Sequence, residues 1–290
     1  RPTMAASERR PRYAATGRGR AVTPLKLAVL REVSACGILT TRQAVRLTGL
    51  SYRAANQHLR DLFDAGLLEK VAVPRAALEP PERQRDPSIV HGSAQDVYKA
   101  SREGRRTLFR LDMIGEAERD RRLPEWDAAN FTFLRHELMV RDMRAFLAAS
   151  ARSLRHSMEA WKDGPQAAAG SVEPDAWFAY RLSESAVMVG LVESDRGTEG
   201  REKWEAKFAQ YGALFTGGAL REAIGYARGR CLAVTWDPAR RDRLAQWAEG
   251  SPVSGRFLAA CREDLERADV TSPVWRVPGV ADLQGALPGQ

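Results

Sequence analysis

The sequence predicts an α+β protein in two parts, a basic front of short helices with a pair of strands and a rear of apolar strands alternating with helices. Three observations carry this. The apolar period is helical from Thr23 to Phe63, whereas short continuous apolar runs such as Ala186 to Val192 recur further on. Gly37, Gly49 and Gly66 close successive helical stretches at the places where a left-handed residue ends a helix. Charge divides the chain as well. Residues 1 to 122 hold 24 Lys and Arg against 14 Asp and Glu, a balance of +10, and residues 123 to 290 hold 21 against 23, a balance of −2.

At 290 residues with 44% apolar content the chain can build one large core or two ordinary ones. The longest apolar run is far too short to cross a bilayer, and no charged, apolar and small-residue leader opens the sequence, so a cytoplasmic protein with no membrane partner is expected. Cys36, Cys231 and Cys261 stand far apart, without a CxxC pair or histidines at zinc spacing, and read as reduced core thiols. The one-sided positive field is the footprint of a nucleic-acid reader, since neutralising phosphates supplies most non-specific affinity. Arg outnumbers Lys 39 to 6, as a GC-rich genome imposes on any protein, so part of this arginine is also accounted for as solvated surface.

Residues 1 to 20 carry six arginines, one Glu, two prolines and no apolar period, which predicts a flexible basic arm. Thr23-Pro24 then caps a helix with Leu25, Val29, Leu30 and Val33 on its inner face, ending at Gly37. Thr40 or Thr41 caps a short helix carrying Ala44, Val45 and Leu47, which Gly49 ends. Ser51 caps a third with Leu59, Leu62 and Phe63 inward, ended by Gly66. Leu67 to Val73 and Asp96 to Lys99 read as two strands. The stretch from Pro74 to Ala94 between them, rich in Pro, Arg and Glu, reads as a long connecting tip, and Glu103 to Leu111 reads as a further helix.

The stretch "ILTTRQAVRLTGLSYRAANQHLRDLFDAGLLEK" resembles the winged helix-turn-helix superfamily, in which the third helix enters the major groove of duplex DNA. Its outward residues here are Arg53, Asn56, Gln57 and Arg60, side chains that pair with guanine or adenine edges or grip phosphate. Arg42, Arg102, Arg105 and Arg106 are candidates for further DNA contact, with Arg110 beside them. The same pattern also describes an ordinary solvated helix face.

The charge-dense stretch Asp112 to Trp126, ending near Leu123-Pro124, places the boundary between a front domain, 21 to 122, and a rear domain, 123 to 290. A long helix follows, Asn130 to Ala149, with Phe133, Leu134, Leu138, Met139, Met143 and Phe146 inward and His136 and Glu137 within it. "SVEPDAWFAY" closes a strand pair, and "AVMVGLVESDRG" is a strand whose end places Glu193 and Asp195 on one side, because strand side chains alternate. A helix from Glu199 to Phe215 sets Lys203, Lys207 and Tyr211 four residues apart on one face. "RCLAVTW" is another strand, and Arg240 to Glu249 another helix.

This order resembles the PD-(D/E)xK nuclease superfamily, whose strand-end carboxylates bind Mg²⁺ and whose lysine positions or activates a water. Under the resemblance Pro174-Asp175 stands for the PD, Glu193 for the acidic residue and Glu137 for the extra carboxylate of some members, with Asp175, Glu193 and Asp195 as the metal-ligand set. Asp195 stands where the superfamily has lysine. The lysine would then come from the helix, Lys207 first and Lys203 second, an arrangement that equally fits a site without catalysis. The alternative for these acids is turn capping or pairing with Arg196 and Arg201.

Taken together, "FLRHELMVRDMRAFL", "PDAWF", "ESDRGTE" and "KFAQYGALF" behind such a front resemble the replication-relaxation family over residues 23 to 250. The resemblance implies a role with plasmid or phage DNA in replication, relaxation or transfer, with a regulator's binding of duplex DNA and a homodimer among the arrangements it allows. Three functions follow: a DNA-binding factor whose nuclease-like domain need not cut, a Mg²⁺-dependent endonuclease or nickase, and an adaptor in a conjugation complex.

Overall fold

The computed structural model describes residues 22–71, 73, 96–123 and 131–286, so the basic arm of residues 1 to 20 and the connecting tip of residues 74 to 94 lie outside the described residues. The chain divides into two compact units, 1–138 and 139–290. This division falls inside a long helix, beyond Leu123, where the sequence places the boundary.

The first unit begins with α1 (Pro24–Cys36), capped by the Thr23 hydroxyl, which accepts from the Lys26 N–H, and closed by Gly37 at φ 79°. Then come β1 (Ile38–Thr40), α2 (Thr41–Thr48) and α3 (Tyr52–Asp64). Thr40 and Gln43 form a reciprocal capping box on α2, so Thr40 rather than Thr41 is the cap, and Gly49 ends the helix in the left-handed region. Ser51 caps α3. Strands β2 (Leu68–Val71) and β3 (Val97–Ala100) follow, then α4 (Arg102–Arg110) and α5 (Glu116–Arg119). The three strands form an antiparallel sheet in the order β1-β3-β2. Strand β1 was not expected from the sequence; it carries three residues, too few for a period to show.

Two inward assignments are corrected. Leu25 is 56% exposed and Phe133 is 45% exposed. In α1 the buried row is Lys26, Val29, Leu30 and Val33, spaced i, i+3, i+4 and i+7, and Lys26 takes the inner position because its ammonium meets Asp61 of α3 at 2.8 Å. In the long helix α6 (Phe131–Leu154) the first inward residues are Leu134 and Leu138, packed with Ile38, Val71, Val73 and Val97, and Phe133 lies one position off that row.

The second unit is a mixed sheet between two helical layers. Its strands are β4 (Ser157–Asp163), β5 (Ala176–Arg181), β6 (Val187–Asp195), β7 (Arg230–Thr235), β8 (Phe257–Cys261) and β9 (Trp275–Arg276), side by side in chain order. The first three run antiparallel, β6, β7 and β8 run parallel, and β9 returns antiparallel. Helices α7 (Arg201–Leu214) and α8 (Ala219–Ile224) lie between β6 and β7, α9 (Pro238–Ala248) between β7 and β8, and α10 (Arg262–Arg267) after β8. Parallel strands need such crossovers, and both faces of the sheet are then covered, which is why β6 and β7 read as continuous apolar runs rather than alternating ones.

Alternation sorts the sheet residues between the two layers. Phe178, Val192, Leu232, Val234 and Leu258 pack with Val140, Met143, Phe146 and Leu147 of α6. Leu191, Cys231, Ala233 and Ala259 pack with Trp204, Phe208 and Tyr211 of α7 and Leu244 of α9. Gly190 lets β6 pass under its neighbours: a Cβ there would sit 2.5 Å from the Phe178 ring and 2.6 Å from Leu232. All three cysteines are buried and outside any disulfide, and no helix among the described residues is long and apolar enough to cross a membrane.

Candidate functional site

Helix α3 presents a polar row. Arg53, Gln57 and Arg60 are exposed and Asn56 is half-buried, while Ala55, Leu59, Leu62 and Phe63 face the core. The helix is fixed from beneath by the buried Lys26–Asp61 pair, and Gln57 donates to Asp61 at 2.8 Å, which orients its amide on the surface. Strand β3 carries Tyr98. The Tyr98 phenol is held well above its usual pKa by burial and by Asp96, with Arg60 pulling the other way and Tyr52 adding to the rise. Arg42, Arg102 and Arg106 are exposed. Arg105 is differently placed: half-buried, it donates to the carbonyls of Ala100 and Arg119 at 2.8 and 3.2 Å, and burial lowers its pKa. It pins α4 to β3 and α5.

The second cluster stands at the end of β6. The pairing of Ala176 with Val192 brings Asp175, one residue before β5, opposite Glu193. The Ser194 N–H donates to the Asp175 carboxylate at 2.7 Å. Glu193 is buried and accepts from two groups on α7, the Lys207 ammonium at 2.7 Å and the Tyr211 hydroxyl at 2.5 Å. Lys207 also meets Glu199 at 2.8 Å. Residues 207 and 211 share one helix face, so a single helix delivers both donors. Lys203, one turn earlier, is exposed. Glu137 is half-buried and belongs to the first unit.

Asp195 is on the same side of β6 as Glu193 but meets a different partner. Arg240 of α9 donates to both of its oxygens, at 2.7 and 3.0 Å, and to the Glu199 carbonyl at 2.6 Å. The Asp195 side chain is 1% exposed. The cation on Asp195 comes from 45 residues away, and Arg201, one of the sequence-local arginines expected as alternative partners, pairs with Glu205.

Burial pushes the Glu193 carboxyl up to about 6, against the pull of Lys207 and with the push of Asp175. Burial works to lower the Lys207 ammonium, but Glu193 and Glu199 outweigh it and hold it raised. Tyr211 and Cys231 are both raised well above their usual values by burial next to Glu193. The cluster is therefore a charged arrangement around the buried Glu193 in which each acid has a cation or N–H donor.

Comparison with protein families decides the kinship: the replication-relaxation family matches residues 30–226, more than half of the chain. The chain belongs to the replication-relaxation family. Neither the curated proteins nor the solved structures gave a match. The family match takes in α3, Asp175, Glu193, Lys207 and Tyr211 and stops before β7, so Arg240 lies outside it.

The acids of this replication-relaxation protein fit a divalent cation in part. Mg²⁺ is commonly held by one or two carboxylates with the remaining positions filled by water, and each carboxylate oxygen offers two lone pairs. Asp175 accepts from the Ser194 N–H, whereas both Glu193 oxygens already accept, from Lys207 and Tyr211. Asp195 is closed as well, because a guanidinium covers both of its oxygens. Among the described residues no group of three or more His, Cys, Asp or Glu is placed to hold a metal ion. Sequence reading missed Glu199 and Arg240, and missed Tyr211 as a donor to Glu193; each depends on a loop or helix approach that carries no local signal.

Proposed function

We propose that this protein binds duplex DNA through α3, in the replication, relaxation or transfer of mobile-element DNA, and that its second unit is a nuclease-like domain used for binding rather than cutting. The observation that carries the first part is the exposed row of Arg53, Gln57 and Arg60 with Asn56 beside it, on a helix anchored by a buried ion pair. The order of helix, strand, helix, helix and two strands, with its β1-β3-β2 sheet, supports a winged-helix reading, in which this third helix lies in the major groove. Arginine pairs bidentately with guanine, and Asn or Gln with adenine. The test is binding of Arg53→Ala/Arg60→Ala to a duplex, with loss of affinity expected and unchanged affinity counting against it.

The helix, three-stranded meander, helix and parallel strand of the second unit support the nuclease-like reading of its fold. Absence of cutting is favoured by Asp195: the residue in the superfamily's lysine position is an acid closed off by Arg240. One contact favours the second reading, an active Mg²⁺-dependent endonuclease: Lys207 reaches Glu193 from the helix. In that case Asp175 and Glu193 would hold the cation, which when bound supplies Lewis-acid activation of water, and Lys207 would hold a proton or charge beside it. Mn²⁺ binding measured by calorimetry, with plasmid nicking that Asp175→Ala and Glu193→Ala both abolish, would establish the second reading. No Mn²⁺ heat and no nicking support the first.

A further inference from the structure

The second unit, residues 139 to 290, balances 20 Lys and Arg against 20 Asp and Glu, yet among the described residues it places two arginines without carboxylate partners at adjacent positions at the start of neighbouring strands. Arg230 opens β7 and Arg256 immediately precedes β8. These strands are parallel, with Cys231 opposite Phe257, so Arg230 and Arg256 stand one register step earlier, side by side. Both are half-buried. Among the described residues neither has a carboxylate partner. Burial, and after it Arg256, lowers the Arg230 pKa, which is the response of a cation held beside another cation.

The pair is also held in place. Arg256 donates to the Phe215 carbonyl at 3.1 Å and lies over the Phe215 ring at 5.4 Å. Gly229, just before Arg230, lets that segment approach closely: a Cβ would lie 2.9 Å from Leu220 and 3.5 Å from Phe215. Arg228 is exposed in the turn that leads into β7. Arranging like charges across neighbouring strands costs stability, and so does desolvating a guanidinium. A bound anion removes both costs, and a planar guanidinium pair matches the geometry of a phosphate.

We propose that Arg230 and Arg256, with Arg228 at the rim, form a phosphate clamp that grips a nucleic-acid backbone on the second unit. The clamp lies at the start of the parallel strands, whereas Glu193 and Asp195 lie at the end of β6, with Glu193 level with Ala233 of β7. Its ligand class is a phosphodiester backbone, read without sequence preference, which separates it from the base-reading role proposed for α3. A protein that holds one duplex by two sites gains from the second as an intramolecular contact.

The experiment compares the full chain with Arg230→Gln/Arg256→Gln and with Arg53→Ala/Arg60→Ala, using a mixed-sequence 30-base-pair duplex titrated at several salt concentrations, and thermal unfolding of each variant. The clamp variant should bind about fivefold to tenfold more weakly, with a salt slope lower by about one to two and unchanged relative affinity for different sequences. Its unfolding temperature should hold or rise, because two crowded cations are gone. Unchanged affinity and slope overturn the clamp, and a lowered unfolding temperature with intact binding shows the arginines to be structural. A variant that loses a poly-glutamate peptide but not DNA overturns it in favour of an acidic protein partner. The α3 variant fails separately: unchanged binding there, with a loss in the clamp variant, sinks the α3 reading and leaves the clamp standing.

Discussion

Replacing Lys207 with Met removes the cation 2.7 Å from a buried carboxylate while keeping most of the side-chain volume. Breaking a buried ion pair by deleting one partner costs about 3 to 5 kcal/mol, because the remaining charge is left in a low dielectric. Lys207 is 29% exposed, and water screens part of its attraction, so the expected loss is nearer 2 to 3 kcal/mol, by the same reasoning discounted for exposure. The loss depends on pH. Glu193 already has a folded pKa raised to about 6, so its contribution to stability is fully present below the ordinary carboxylate pKa and is lost as pH rises through 6. Without Lys207 the folded pKa rises further, and the carboxylate takes up a proton at neutral pH instead of standing unpaired. The difference in unfolding free energy between wild type and Lys207→Met should therefore be largest at pH 8 and should shrink towards pH 5. Urea unfolding of both proteins at the two pH values measures it. Glu193→Gln in the same background should recover much of the loss at pH 8. A pH-independent difference, or no recovery in the double variant, would refute the burial argument.

Two further outcomes follow from the packing. Arg240→Met leaves Asp195 buried without its cation and should cost about 3 to 5 kcal/mol, read as a drop in unfolding temperature, with Asp195→Asn in addition restoring part of it; equal stability of the single variant and wild type would show that the pair is not closed. Gly190→Ala forces a methyl against the Phe178 ring and Leu232 and should cost about 1 to 3 kcal/mol in chemical unfolding, whereas a neutral result would mean that β5 and β7 yield easily.

The elements that were legible in the sequence are those whose signals are local. Thr23-Pro24, the Thr40-Thr41 pair and Ser51 announce three helices, and Gly37 and Gly49 end two of them through positive φ. Val187 to Asp195 reads as a strand because both of its faces are covered. Strand β8 also lies in the covered centre, but Phe257–Cys261 is five residues long and follows a 3-10 turn, so its run is too short to stand out, and β9 has two residues. The same divide holds at the site. Glu193 and Asp195 on one side follow from alternation, and Lys207 with Tyr211 from helical spacing. Which acid meets which cation does not follow, because Arg240 reaches Asp195 only once α9 has docked on the parallel strands. Leu25 and Phe133 illustrate the limit within a helix: the period marks a face, and the register of packing decides whether Lys26 or Leu25 lies on it.

The central claim is that the exposed row of α3 meets duplex DNA, and the salt dependence of binding tests it most directly. Each phosphate neutralised releases condensed counterions, so the logarithm of the affinity should fall linearly with the logarithm of salt, with a slope near −0.9 per phosphate contact. For the full chain on a 30-base-pair duplex the account predicts a steep fall, shallower by about one to two in Arg53→Ala/Arg60→Ala and accompanied by weaker discrimination between sequences. A binding curve that does not respond to salt, or an α3 variant with the slope and sequence preference of wild type, would contradict it.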